Sequence, residues 1–275
     1  MGNNLAVLQI MPNKFKSGSV VLITGASQGI GKELALRYAS RQCRLLLCAR
    51  NVELLKNVQS LCNHLGGKAE ICQMDVSNEE DCKRMIQECI KHFSKIDILV
   101  LNAGVNAHSK FVELPDLSSF KKVMETNFYG CVYPTKYALP YLQKTKGQIL
   151  VLSSLSGEIG LPFRTAYCSS KFAVTGFFES LRIELENKDI AITIVCPPSV
   201  KTNMRDHDLL QKYKTEEMNE TDNRMSVEQC ADTIILAADK RARKVFFPRQ
   251  AYLAAYIRPF FPDYVDNKLK KFAKL

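Results

Sequence analysis

A glycine-punctuated turn between an apolar strand and a helix constrains this chain more than any other feature. Val20-Val21-Leu22-Ile23 runs into Thr24-Gly25-Ala26-Ser27-Gln28-Gly29-Ile30-Gly31, and an amphipathic stretch follows. Glycines at such a junction let the backbone turn sharply and approach a pyrophosphate, while the helix N-terminus supplies N–H groups and positive potential. A P-loop is excluded, because Gly31-Lys32 would need Gly at position 26 and Ser or Thr at 33, which hold Ala26 and Glu33. Tight strand-to-helix turns also use glycine for geometry alone, so the flanking strand and helix are what point to dinucleotide binding.

The rest of the chain repeats that alternation. Ser19–Thr24, Arg44–Ala49, Ala69–Met74, Ile96–Leu101, Gln148–Leu152, Ala191–Cys196 and Val245–Phe247 read as strands. Gly29–Arg41, Val52–Leu65, Asn78–Phe93, Ser118–Lys144, Thr165–Asn187 and Ser226–Ala237 read as helices, with Ser77 or Asn78 capping the third. Short β-rich runs separated by amphipathic helices predict βαβ units and a parallel sheet, hence an α/β fold. No Gly/Ser/Pro linker interrupts the pattern, so residues 17–248 read as one domain behind an N-terminal extension at 1–16. The polar, weakly periodic segment 197–223 is the exception, and a loop of that length inside a compact domain reads as a lid.

Composition narrows the class further. An apolar fraction of 46% and a charged fraction of 24% exclude a disordered or fibrous chain. No run of eighteen apolar residues offers a membrane-spanning helix, and Leu5–Pro12 is too short and lacks the basic start of a signal peptide. The ten cysteines are scattered singly and form no C-x-x-C pair, while the four histidines show no ligand spacing. Buried thiols in a reducing compartment fit better than a disulfide framework, and no metal site is expected.

Charge is concentrated at the C-terminus. Lys240–Leu275 holds ten Lys or Arg against two Asp, so +8 of the net +10 sits in the last 36 residues. Tyr252, Tyr256, Phe260, Phe261, Tyr264 and Phe272 are interleaved with it. No nucleic-acid-binding motif accompanies the charge, so no nucleic-acid partner is expected. Basic and aromatic residues together suit a segment lying in a membrane interface, and 249–275 is read as such a tail; the bland alternative is a tail packed on its own domain or a partner.

Two further positions bear on chemistry. The second strand ends at Ala49, where NAD-binding sheets place a carboxylate for the ribose 2′-hydroxyl, and Arg50 follows. A guanidinium pairs with a 2′-phosphate, so the expected cofactor is NADP(H). Tyr167 and Lys171 stand four apart, on one face of a helix, where an ammonium can stabilise a phenolate for proton transfer. Ser154, thirteen residues earlier at a strand end, could hold a substrate oxygen.

Taken in order and spacing, Thr24–Gly31, Asn102-Ala103-Gly104, Asn127, Ser154 and Tyr167-x-x-x-Lys171 resemble the short-chain dehydrogenase/reductase superfamily over roughly residues 17–250. The resemblance implies a single-domain Rossmann fold with a seven-stranded parallel sheet. It implies Tyr167 as general acid/base, with Lys171 assisting it and holding the nicotinamide ribose. Ser154 would position the carbonyl, and Asn127 would hold a water in the proton relay. Thr24, Gly25, Ser27, Gln28, Gly29, Ile30 and Gly31 would bind the cofactor, with Arg50, Asp75, Val76, Asn102, Ala103, Gly104, Val200 and Thr202. One departure stands out: Pro197-Pro198 replaces the family's usual Pro-Gly, and a second proline removes an N–H donor beside the nicotinamide while Thr202 is kept.

Met124-Glu125-Thr126-Asn127, Pro162–Tyr167 and Tyr252–Pro259 look like the dehydrogenase/reductase member-seven and seven-B group, and the double proline with Gly130–Pro134 is similar to 3-ketosphinganine reductases. A lipophilic ketone or alcohol (a lipid intermediate, steroid or retinoid), a homodimer and peripheral membrane contact are the implied substrate and partners. Unlike many relatives the chain shows no N-terminal membrane helix, so its tail would do any anchoring. The terminal Ala273-Lys274-Leu275 is one conservative step from a peroxisomal S-K-L signal, which leaves endoplasmic-reticulum and peroxisomal placement both open. The expected activity is NADPH-dependent carbonyl reduction, reversible as alcohol oxidation. The competing class is a non-catalytic NADP-binding scaffold, against which the joint presence of Asn127, Ser154, Tyr167 and Lys171 argues. A serine hydrolase fits less well still, because no G-x-S-x-G elbow surrounds Ser153 or Ser154.

Overall fold

In a computed structural model, which describes residues 17–202, 204, 224–247, 253 and 255–272, every expected strand joins one sheet. The strands are β1 (Val20–Thr24), β2 (Arg44–Ala49), β3 (Lys68–Gln73), β4 (Ile98–Leu101), β5 (Gln148–Leu152), β6 (Ala191–Cys196) and β7 (Lys244–Phe246). They lie in the order β3-β2-β1-β4-β5-β6-β7, and every adjacent pair is parallel. The helices are α1 (Gly29–Ser40), α2 (Val52–His64), α3 (Glu79–Phe93), α4 (Ser118–Met124), α5 (Gly130–Thr145), α6 (Thr165–Glu184), α7 (Val227–Asp239) and α8 (Pro262–Phe272).

Both faces of the sheet are covered, which is why its strands are continuous apolar runs instead of alternating ones. On one face Val21, Ile23, Leu45, Leu47 and Val100 pack against Leu34 and Tyr38 of α1, Leu55 and Val58 of α2, and Ile234 of α7. On the other Leu22, Leu46, Leu99, Val151 and Ile194 pack against Met85 and Ile86 of α3, Leu142 of α5 and Phe178 of α6. Each of these fully buried side chains contributes about 1.5–3 kcal/mol. All ten cysteines are buried and free, most of them in these two cores.

Local chemistry sets the element boundaries. Asn78 caps α3 by accepting from the Asp81 N–H at 3.0 Å, and Ser226 opens α7 with a reciprocal capping box to Gln229. The fourth strand starts at Ile98, two residues later than its apolar pattern, because the Asp97 carboxylate accepts the Val20 N–H at 2.7 Å. The expected single helix Ser118–Lys144 is interrupted by a π-helical turn at Glu125–Tyr129. Gly130 follows it, where a Cβ would stand 2.7 Å from Val76 Cγ2, so helix and β3 loop meet closely. The helix expected to reach Asn187 ends at Glu184, and a separate 3-10 turn spans Glu186–Lys188.

The extension 1–16, the residues 203 and 205–223 of the expected lid, and, in the expected tail, residues 249–252 (Tyr252 among them), 254 and the terminal Ala273-Lys274-Leu275 lie outside the described residues. The two ends of the lid meet: Met225 N–H donates to Ser199 O at 3.1 Å and Lys201 N–H donates to Met225 O at 3.0 Å. Among the described residues no helix is long and apolar enough to cross a membrane.

Candidate active site

The strand order reverses between β1 and β4, and the crevice beyond their C-terminal ends is where an open parallel sheet receives a ligand. Thr24 ends β1 and ties the two strands together. Its hydroxyl donates to Val100 O (3.3 Å) and accepts from the N–H groups of Asn102 (3.1 Å) and Ala103 (3.2 Å). The Asn102 amide in turn donates to the carbonyls of Thr24 and Gly25 at 3.1 and 3.0 Å, bracing the turn from below.

Glycine is obligatory where this bracing is tightest. A Cβ on Gly31 would lie 2.2 Å from the Gly25 carbonyl oxygen and 2.5 Å from Asn102 Nδ2, and one on Gly25 would lie 2.9 Å from Ala103 Cα. Gly29 takes a left-handed φ of +57°, and Thr202, arriving from the loop after β6, sits over it with its methyl 3.4 Å from where a Cβ would be. Gln28 precedes α1 without capping it through its side chain, so among the described residues no side-chain cap occupies the first-turn N–H groups beside Ser27 and Ile30. A close backbone approach joined to an uncapped helix N-terminus fits a dinucleotide pyrophosphate.

At the adenine side, Arg50 lies just past β2 with its guanidinium largely exposed and 3.9 Å from the Asp75 carboxylate. Asp75 also accepts the N–H and hydroxyl of Ser77, at 3.0 and 2.8 Å, which shapes the loop after β3; Val76 beside it is buried. Arg41, another cation near the motif, is held bidentately by Asp239 at 2.7 and 2.9 Å and is unavailable to a ligand.

The remaining residues converge beyond β4 and β5. The π turn carries Asn127 inward, where it is fully buried: Oδ1 accepts the Val105 N–H at 2.8 Å, and Nδ2 donates to Val105 O and Ser170 Oγ, both at 3.0 Å. Ser170 donates to the Tyr167 carbonyl at 2.7 Å, so Asn127 is tied to the start of α6. Lys171 is almost wholly buried, donates to Leu152 O at 2.8 Å, and holds its ammonium 5.8 Å from the Tyr167 ring centroid. Gly104 leaves room between the Asn127 amide and the Lys171 ammonium. Ser154 stands two residues beyond Leu152, its hydroxyl accepting the Ser156 N–H at 3.1 Å. Among the described residues the Ser154 and Tyr167 hydroxyls do not bond each other.

Val200 is buried and pairs with Met225 in an isolated parallel bridge, and the Pro197 carbonyl accepts the Leu155 N–H at 3.1 Å, joining the double-proline loop to the Ser154 turn. Two participants had no sequence signal of their own. The Leu152 carbonyl is a backbone group, and Ser170 gains its role only from the depth at which Asn127 lies. The spacing of Ser170 between Tyr167 and Lys171 on α6 is the one hint the chain offers. Ser153 is buried and bonded to Thr175 Oγ1 at 3.0 Å, a packing role.

A parallel sheet with a glycine turn at its switch point and an inward Tyr–Lys pair at the next strand end defines a nicotinamide-dependent oxidoreductase. Residues 19–212 match the short chain dehydrogenase family, and the chain belongs to it. It is 38% identical over 268 residues to an 11-beta-hydroxysteroid dehydrogenase of Pinus massoniana, covering 94% of this chain and 75% of that one. It is 37% identical to a dehydrogenase/reductase SDR family protein 7-like of Dictyostelium discoideum (97% and 85% covered), in keeping with the member-seven resemblance. Identity to an 11-beta-hydroxysteroid dehydrogenase-like 3 of Arabidopsis thaliana is 43% (91% and 80% covered). In fold it is similar to a Burkholderia phymatum short chain dehydrogenase/reductase in complex with NAD, with a TM-score of 0.81 over 92% of this chain and 96% of that one at 21% identity. An alcohol dehydrogenase from the archaeon Thermococcus sibiricus, complexed with 5-hydroxy-NADP, aligns with a TM-score of 0.73 at 26% identity, covering 83% and 95%.

Proposed function

We propose that this short-chain oxidoreductase is an NADPH-dependent reductase of a lipophilic ketone, reversible as an alcohol dehydrogenase. The observation that carries the reading is the convergence of Asn127, Tyr167 and Lys171 through Ser170, Gly104 and the Leu152 carbonyl, with Ser154 on the next turn. A bound nicotinamide would supply the hydride that reaches the carbonyl carbon. The chain does the rest. Tyr167 delivers a proton to the substrate oxygen, Ser154 orients that oxygen, and the Lys171 ammonium favours the phenolate left behind. Asn127 fixes the floor of the relay through Val105.

Arg50 supports NADPH over NADH, because its exposed guanidinium stands where a 2′-phosphate would come and Arg41 is already engaged. Two observations support a lipophilic substrate. Relatives carry steroid dehydrogenase names. Beside Tyr167, Ala107, Val123 and Ala166 form a small apolar cluster with Leu114 and Phe120, from which the loop exposes Phe111 and Val112. Peripheral membrane contact through Tyr256, Phe260, Phe261 and Tyr264, all exposed beside Lys268, Lys270 and Lys271, belongs to the same reading.

The test is an NADPH-oxidation screen against ketosphinganine, acyl-dihydroxyacetone phosphate, ketosteroids and retinal, repeated on Tyr167→Phe with the best ketone. Loss of the proton donor should slow turnover by roughly 10²–10⁴ while leaving cofactor affinity within a few-fold. Near-normal turnover in Tyr167→Phe would remove the assigned mechanism.

A further inference from the structure

The strands begin at the opposite edge of the sheet from the glycine turn, and there the chain builds a second polar site. Arg182 in the last turn of α6, Arg241 just after α7 and Arg243 just before β7 line one open cleft of about 210 Å³, together with Glu186 and the apolar Ile183 and Ile190. Since all seven strands are parallel and the dinucleotide motif follows the end of β1, the cleft is remote from the site described above.

Two of these guanidiniums are held in place by carbonyls, which orient a cation without neutralising it. Arg241 Nη2 donates to the carbonyls of Lys146, Gly147 and Asp189 at 3.1, 2.6 and 3.1 Å. Arg182 Nη2 donates to those of Ile192 and Arg243 at 3.1 and 2.7 Å. The Nε–H of each is buried without a hydrogen-bond partner. Burial pushes both guanidiniums below their ordinary value, and the Arg243 charge pushes Arg182 further the same way. Carboxylate charge offsets this only in part: Glu179, which also pairs with Lys244, acts on Arg182, and Asp189, which also pairs with Lys146, acts on Arg241. Three guanidiniums therefore line one concavity with a single lining carboxylate, Glu186, and the Arg243 charge acts unfavourably on Arg182.

We propose that this cleft binds a phosphate-bearing anion, a phosphomonoester or diphosphate group. Arg243 has its whole guanidinium fork for bidentate pairing with a phosphate, while Arg182 and Arg241, whose Nη2 groups hold carbonyls and whose Nε groups are buried, can each offer Nη1. Ile183, 71% exposed at the rim, offers apolar contact to whatever carries the group. The source is either a soluble phosphate compound or an anionic lipid headgroup, and the two differ in how they reach the cleft.

Pyrophosphate, titrated calorimetrically into the full chain saturated with NADP+, keeps the dinucleotide site out of the measurement. Saturable binding that weakens with salt is expected, and Arg243→Ala should lower the affinity by roughly tenfold. The Arg243 side chain is exposed and only its backbone carbonyl supports Arg182, so this variant keeps the fold; an unchanged melting temperature verifies it. Lys56→Ala, the same charge change on α2, should bind as the wild type does. Vesicles containing phosphatidic acid form the second arm: vesicle binding lost in Arg243→Ala assigns a lipid source, and vesicle binding indifferent to it assigns a soluble one. If pyrophosphate fails to bind saturably, or binds Arg243→Ala as tightly as wild type, the three arginines only clamp the sheet edge and the site does not exist.

Discussion

Asn127 carries the sharpest quantitative test of the site, because its side chain is completely buried and serves both backbone groups of one residue, Val105. In Asn127→Ala the Val105 N–H and C=O lose partners at 2.8 and 3.0 Å, while Ser170 keeps its bond to Tyr167 O. A backbone group left unpaired away from water costs about 1–3 kcal/mol; because Val105 is only partly buried, the pair should cost toward the low end, roughly 3 kcal/mol in total. For a chain of this size each kcal/mol moves the midpoint by about 2–4 °C, which gives a fall in Tm of roughly 10 °C. Asn127→Asp keeps the shape but places a carboxylate oxygen 3.0 Å from Val105 O and from Ser170 Oγ, where Nδ2 now donates. Burial and facing oxygens should raise the folded-state pKa of that introduced carboxyl above its unfolded value. Protons then bind more tightly to the folded state, so Asn127→Asp should be least stable at neutral pH and recover as pH falls through the raised value. Thermal unfolding of the three proteins across pH, followed by circular dichroism, measures both effects. A Tm for Asn127→Ala within about 2 °C of wild type would refute the reasoning, as would an Asn127→Asp that melts like wild type at neutral pH.

Three further outcomes follow from the same structure. Replacing Ala49 with Asp and Arg50 with Ile should swing kcat/KM toward NADH; with Arg41 locked by Asp239, an unchanged preference would move 2′-phosphate recognition to Lys32. Cys72 is the one cysteine whose thiol is held below its ordinary range, by the hydrogen bond from Cys48 and by the Arg84 guanidinium, whereas burial pushes Cys62, Cys89 and Cys230 up to about 12. Timed iodoacetamide labelling read by mass spectrometry should find Cys72 modified first in the folded protein; labelling led by any of the other three would contradict the arrangement. Full-length protein should float with anionic liposomes at low salt and release at high salt, each engaged Lys or Arg contributing about 1 kcal/mol. Phe260→Ser combined with Phe261→Ser, at positions 78% and 63% exposed, should abolish flotation; equal flotation of both proteins would make the tail a packing element.

How much of this was legible before any fold was known depended on the range of the interaction involved. The seven strands, the helices and the glycine turn are written in local pattern. A buried parallel strand must be a short apolar run, and a turn that leaves 2.2 Å for a Cβ at Gly31 accepts nothing larger than glycine. Tyr167 and Lys171 are legible for the same reason, four residues apart on one helix. The π turn at Glu125–Tyr129 was not, since the apolar period runs through it unbroken; it forms because Asn127 is drawn inward to the Val105 peptide and Gly130 is pressed against Val76.

Contacts between distant stretches belong to the tertiary structure alone. The Leu152 carbonyl that holds Lys171, the Asp239 that removes Arg41 from consideration, and the Thr202 methyl over Gly29 each join residues 19 or more apart in sequence, and no local period encodes such pairs. The three arginines of the second cleft are scattered from α6 to the start of β7, and composition registered two of them only as part of a basic C-terminus. The chain's own pattern therefore determined which elements form and which residue types can carry hydride chemistry. The packing of those elements decided which charges are satisfied, because neutralisation depends on distance in space, and only folding sets that distance.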